Sequence, residues 1–139
     1  MNDRATIAVT PREASVEVRR DTFAVASYNV HGCRGLDGHE DVDRIARVLA
    51  ELDCDVVGLQ EVHSRGDVGH ATRQLDRLAA ATGFAAVPGL TIVRERSEYG
   101  NALLTRMPVL SVRRHDLAFR RREPRGALEV DLSAGEGRV

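Results

Sequence analysis

The 139 residues carry a formal net charge of −1, with 42% hydrophobic and 29% charged side chains. That length suits one domain able to bury roughly two thirds of its unfolded surface, and the apolar fraction excludes the low-hydrophobicity, high-charge pattern of a disordered chain. Near-neutrality excludes a global field drawing the chain to nucleic acid or an anionic membrane, so any phosphate affinity must be local.

The start, Met1-Asn2-Asp3-Arg4, lacks the basic-then-apolar pattern of a secretory signal, and no apolar stretch approaches the ~20 residues of a membrane span. A cytoplasmic protein without a transmembrane segment is expected, secretion through a missing or trimmed leader being left open. Residues 1–21 carry only weak alternation, around Ser15-Val16-Glu17-Val18-Arg19, and read as a leader or an edge strand. Residues 22–139 form the domain portion.

Phe23-Ala24-Val25-Ala26-Ser27-Tyr28 is an apolar run of strand length, bounded downstream by Gly32, Gly35 and Gly38. It predicts a buried strand running into a flexible loop. From Asp41 to Leu52 the apolar positions Val42, Ile45, Ala46, Leu49 and Leu52 follow helical spacing, with Asp41 placed to cap the start. Asp55-Val56-Val57-Gly58-Leu59 predicts the next strand. A strand-helix-strand unit over 23–59 implies parallel strands joined by a right-handed crossover.

A second helix is predicted over 68–82, with Val68, Ala71, Leu75, Leu78 and Ala79 on one stripe and Gly83 as its stop. Beyond it, 84–87, 90–93, 99–104, 109–113 and 127–132 are short strand candidates separated by Gly, Pro or charged turns. Ser133-Ala134-Gly135-Glu136-Gly137 reads as a hairpin turn, with Arg138-Val139 beginning the returning strand.

Asn29 and Glu61 close the two predicted strands of the strand-helix-strand unit. Adjacent parallel strands would set a neutral amide beside a carboxylate at one mouth of a sheet, a cradle for a divalent cation and a phosphate. From spacing alone, a solvated strand-end carboxylate is the commoner role for Glu61, and an Asn before a Gly-containing loop often bonds its own backbone. Arg113, Arg114, Arg120, Arg121, Arg122 and Arg125 concentrate positive charge, which is usually no more than a solvated face. His31, Cys33, His39 and Cys54 do not fit a structural zinc spacing. The two cysteines read as reduced thiols, with a single disulfide as the alternative. His63 and His70 read as loop histidines.

Four segments occur in order: Ser27-Tyr28-Asn29-Val30-His31-Gly32, Gly58-Leu59-Gln60-Glu61-Val62, Tyr99-Gly100-Asn101-Ala102-Leu103-Leu104-Thr105-Arg106 and Arg122-Glu123-Pro124-Arg125-Gly126-Ala127-Leu128. Each alone is weak, but together they resemble the endonuclease/exonuclease/phosphatase superfamily, the deoxyribonuclease I-like fold, over about residues 23–139. The resemblance implies an α/β fold, a partial four-layer sandwich of mixed sheets with outer helices, and it covers the N-terminal half only. The family's later histidine strand, Asp-x-Asn segment and terminal Asp-His pair have no counterpart among the 139 residues.

The chemistry so implied is hydrolysis of a phosphate ester by activated water with Mg²⁺, or Mn²⁺, as cofactor. Glu61 and Asn29 are the implied catalytic and metal-binding residues, and Asn101, Arg122 and Arg125 the implied phosphate-binding ones. Asn101 has an equal claim as a turn cap. A small molecule, a lipid headgroup or a nucleic acid is the implied partner. The 4% aromatic content and absence of Trp supply no base-stacking platform, which favours a small or lipid-derived ester. With the later elements missing, the chain alone is expected to be inactive. A different reading makes it a non-catalytic interaction module that docks or self-associates through unpaired strand edges.

Overall fold

The computed structural model describes residues 22–65, 73–94, 97–120 and 122–139. The N-terminal segment 1–21, the first turn of the expected second helix, His70 and Arg121 lie outside the described residues. Strands β1 (Val25–Asn29), β2 (Val56–Arg65), β3 (Ala85–Arg94) and β4 (Ser97–Thr105) form a sheet ordered β1-β2-β4-β3. Strands β5 (Val109–Asp116), β6 (Gly126–Ala134) and β7 (Gly137–Arg138) form a second, ordered β5-β6-β7. Helices α1 (Val42–Leu52) and α2 (Gln74–Thr82) pack on the first sheet. The mixed α/β architecture is the one expected.

The parallel unit forms as its spacing predicts: Val25 lies opposite Val56 and Asn29 opposite Gln60, with α1 as the connection. Asp41 caps α1, its Oδ1 accepting the Arg44 N–H at 2.8 Å. Gly83 ends α2 at φ 75°, its N–H returning to the Ala79 carbonyl at 2.8 Å, because a left-handed residue is needed there and glycine takes that conformation without a Cβ clash. The stripe facing the sheet makes the core. Leu49, Leu59, Leu78 and Leu104 are fully buried, each contributing roughly 1.5–3 kcal/mol by leaving water.

Three strand expectations are corrected. First, β1 is not buried: its residues alternate between exposed and half-buried, and Val25 keeps 64% of its surface. Among the described residues it is an edge strand, whose helix-facing side, Ala26 and Tyr28, packs on the core, while Val25, Ser27 and Asn29 are exposed. Second, β2 runs on through Glu61 to Arg65. Third, Pro88-Gly89 does not separate two strands but lies inside β3. As an edge strand, β3 tolerates a residue without an N–H, and Gly89 leaves room for Leu128 of the second sheet, which stands 3.1 Å from where a Cβ would be.

Candidate functional site

Asn29 closes β1, and Glu61 stands in an irregular part of β2. On either side of it the ladder to β4 slips, Leu59 facing Ala102 but Val62 facing Gly100, so β2 carries one residue more than its partner. Glu61 itself takes φ 57°, a left-handed backbone that costs a residue with a Cβ about 1–2 kcal/mol. This is a β-bulge, a device that re-aims one side chain. The carboxylate is thereby turned onto Asn29 from inside a strand.

Asn29 Nδ2 donates to Glu61 Oε1 at 3.0 Å, and Asn29 Oδ1 accepts the His31 N–H at 2.9 Å. His31 Nδ1 lies 3.1 Å from Glu61 Oε2. An ionised carboxylate only accepts, so this bond requires the proton on Nδ1. Hydrogen bonds from Asn29 first and His31 second hold the Glu61 carboxyl below the usual glutamate range, the more distant charge of Arg125 adding to them.

His31 reaches Glu61 because His31, Gly32 and Cys33 have φ of 48°, 60° and 56°. A run of left-handed residues is costly outside glycine, and here it is closed by hydrogen bonds rather than left as a flexible loop. Cys33 N–H donates to the Val30 carbonyl at 2.8 Å and Arg34 N–H to that of His31 at 3.1 Å. Gln74, at the start of α2 and only 1% exposed, donates from Nε2 to the Gly32 carbonyl at 2.7 Å and accepts the His63 N–H at 2.9 Å. The sequence gives no sign of His31 or Gln74 in these positions, since neither the left-handed turn nor the reach of α2 is written in residue spacing.

Beside the bulge, Tyr99 pairs with His63 across β4 and β2, their rings edge to face at 5.7 Å. His63 is therefore a strand residue, not a loop one. Burial and then the charge of Glu61 push the Tyr99 phenol up. Asn101 is within β4, not at a turn, and donates from Nδ2 to the Gly126 carbonyl at 3.5 Å, linking the two sheets. Arg125, next to Gly126, pairs with Glu123 at 3.0 Å and acts electrostatically on Glu61 and Tyr99. Arg122 is not brought in: its side chain is exposed and its N–H donates to the Phe119 carbonyl at 3.2 Å.

Among the described residues no cluster of three or more His, Cys, Asp or Glu could hold a metal, and Cys33 and Cys54 are both buried free thiols. The donor set is one carboxylate, 37% exposed, steadied by the Asn29 amide and the His31 ring, which is the kind of hard oxygen donor that suits a cation keeping its waters rather than a metal needing a protein cage. Glu61 would hold Mg²⁺ or Mn²⁺ directly, with Asn29 fixing its orientation.

A model of the Endonuclease/Exonuclease/phosphatase family matches residues 26–135. No curated protein matches the chain significantly. The fold is similar to the crystal structure of endonuclease/exonuclease/phosphatase from Beutenbergia cavernae DSM 12333, with a TM-score of 0.68 and 28% identity over 84% of this chain and 36% of that one. It is also similar to an endonuclease/exonuclease/phosphatase family protein from Leptotrichia buccalis C-1013-b, with a TM-score of 0.64 and 17% identity over 84% of this chain and 51% of that one. The second likeness concerns the fold alone. The chain spans between about a third and a half of the length of these structures.

Proposed function

This chain belongs to the endonuclease/exonuclease/phosphatase family, a family of phosphoester hydrolases, and from that premise we propose that it supplies the carboxylate end of a Mg²⁺-dependent site for hydrolysis of phosphate esters. The observation that carries the proposal is the aiming of Glu61. A bulge turns its carboxylate out of the ladder, and the Asn29 amide and His31 ring then hold both oxygens.

A bound Mg²⁺ would supply Lewis-acid stabilisation of charge on the phosphoryl oxygens. The chain's own residues do the positioning. Asn29 Nδ2 keeps Glu61 ionised and fixes its plane, while Asn29 Oδ1 ties the following turn. His31 holds a proton at Nδ1 against Glu61 Oε2. Arg125, whose charge acts on Glu61, and Asn101, whose amide meets the neighbouring Gly126 carbonyl, are assigned to the substrate phosphate.

A Mn²⁺ titration followed by water-proton relaxation tests the site. Weak binding abolished in Glu61→Gln is expected, and binding of unchanged strength in that variant would sink the proposal. With no Asp-x-Asn among the 139 residues, the chain by itself is expected not to hydrolyse bis(p-nitrophenyl) phosphate, because it lacks the general base that the resemblance calls for.

A second reading, an interaction module, is favoured by β1, where Val25 is 64% exposed on a strand that lies at the sheet edge among the described residues. It predicts self-association through that edge, measured as a concentration-dependent mass by light scattering and suppressed by Val25→Lys.

A further inference from the structure

A cavity of about 390 Å³ opens between β3, the end of β5 and the start of β6. Its lining residues include Arg114, Arg125 and Asp116. Arg114 is exposed, as its place in a charge run predicts, but its guanidinium is held. Its Nε and Nη2 both donate to the Pro88 carbonyl, at 3.0 and 2.6 Å, which fixes the plane of the fork against β3.

That partner is neutral, so the charge of Arg114 is not cancelled by it, and the donors on Nη1 are not used in the bond. Asp116 is already engaged, its Oδ1 accepting the Ala118 N–H at 2.8 Å. His115 also lines the cavity, but its Nε2 is bound to Glu129 at 2.8 Å. Arg125 pairs with Glu123 between exposed side chains, an arrangement worth little in water and readily exchanged for a ligand. The cavity is within the size range of small-molecule sites and larger than a phosphate alone, leaving space for the organic group that carries one.

We propose that this cavity binds a second, uncleaved phosphate of the substrate, with Arg114 as its pre-set fork and Arg125 shared with the Glu61 side. A planar guanidinium offers paired donors matched to phosphate oxygens. The substrate class is then a phosphate ester bearing a further phosphate. This rests on reading the Asn29–Glu61 end as the phosphoester site, to which the cavity is joined through Asn101 of β4, whose Nδ2 donates to the carbonyl of the cavity-lining Gly126 at 3.5 Å.

Calorimetric titrations of the 139-residue chain with 1,3-propanediol bisphosphate, methyl phosphate and inorganic phosphate test it at one fixed low ionic strength, with Mn²⁺ present. The bisphosphate should bind roughly tenfold or more tightly than either monophosphate, as one charge-assisted hydrogen-bonded contact implies. Arg114→Gln should remove that advantage. Asp116→Asn keeps an acceptor for the Ala118 N–H and removes a negative charge, so it should tighten bisphosphate binding several-fold, a gain that misfolding cannot produce.

Equal affinity for the bisphosphate and inorganic phosphate would overturn the proposal and make the cavity a site for free phosphate. An advantage that survives Arg114→Gln, or an Asp116→Asn affinity equal to that of the unaltered chain, would overturn it as well. Failure of the neighbouring site is told apart by Glu61→Gln: Mn²⁺ binding that does not depend on Glu61, beside bisphosphate binding that does depend on Arg114, would leave the cavity and refute the metal reading.

Discussion

The Gln74 side chain donates to the Gly32 carbonyl at 2.7 Å while accepting the His63 N–H at 2.9 Å, so one buried amide ties α2 to both segments that carry the site. The Gly32 turn presents His31, and β2, two residues before His63, presents Glu61. A third bond, Gln74 N–H to Ser64 Oγ at 2.9 Å, anchors the start of the helix to the same strand. The alignment of His31 with the bulged carboxylate therefore depends on a residue that touches neither.

Gln74→Leu keeps the volume and removes both side-chain bonds. It leaves the Gly32 carbonyl and the His63 N–H facing an apolar group, at about 1–3 kcal/mol for each buried unsatisfied group. A loss of roughly 2–4 kcal/mol is expected, seen as a lowered urea midpoint with an unchanged slope. A midpoint equal to that of the unaltered chain would show that these bonds are not formed in solution.

The Glu61 carboxyl titrates below the usual glutamate range because Asn29, and then His31, hydrogen-bond its ionised form. A depressed folded-state value means that the group stabilises the fold above its unfolded-state pKa and loses that contribution as pH falls through the folded value. Carbon-detected NMR should place the Glu61 titration below that of a reference glutamate. Asn29→Ala and His31→Ala should each move it up, since each removes a hydrogen bond to the ionised form. Mn²⁺ binding should persist below the usual glutamate range and vanish as the Glu61 carboxyl protonates.

Much of this arrangement is legible in the residues, and what is not has a physical reason. The α1 spacing with its Asp41 cap and the Gly83 stop are local signals, and both formed as expected. That the ends of β1 and β2 lie side by side, with Asn29 opposite Gln60, follows from parallel strands joined by one helix. The bulge does not follow, because nothing in Gly58-Leu59-Gln60-Glu61-Val62 marks a non-glycine residue for a left-handed backbone; the register with β4 imposes it. The same limit hid the partner of Arg114: the residue is exposed, as a charge run predicts, but only the facing sheet supplies the Pro88 carbonyl that holds its guanidinium.

Cys33 lies on the site's turn but is fully buried, and burial, with the charge of Glu40 adding, pushes its thiol up to about 12. The thiolate is the reactive species, so Cys33 should resist a thiol reagent such as 5,5′-dithiobis(2-nitrobenzoate) in the folded chain and react only on unfolding. Cys54, also buried, gives a matched internal comparison by mass mapping. Fast labelling of Cys33 under native conditions would mean that the 31–33 turn opens, and with it the His31–Glu61 contact.

The bulge itself can be tested apart from the carboxylate. Glu61→Ala and Glu61→Gly both delete the bonds to Asn29 and His31, so neither should bind Mn²⁺, and any difference in their stability reports on the backbone at residue 61. At φ 57° a Cβ costs about 1–2 kcal/mol, whereas glycine pays roughly 0.5–1 kcal/mol in unfolded-chain entropy. The glycine variant should therefore be the more stable of the two by about 0.5–1 kcal/mol in urea denaturation. In an ordinary strand the order is reversed, because glycine there brings the entropy cost and no relief. An alanine variant as stable as the glycine one would mean that residue 61 is not left-handed in solution, and the account of how its carboxylate comes to face Asn29 would fail with it.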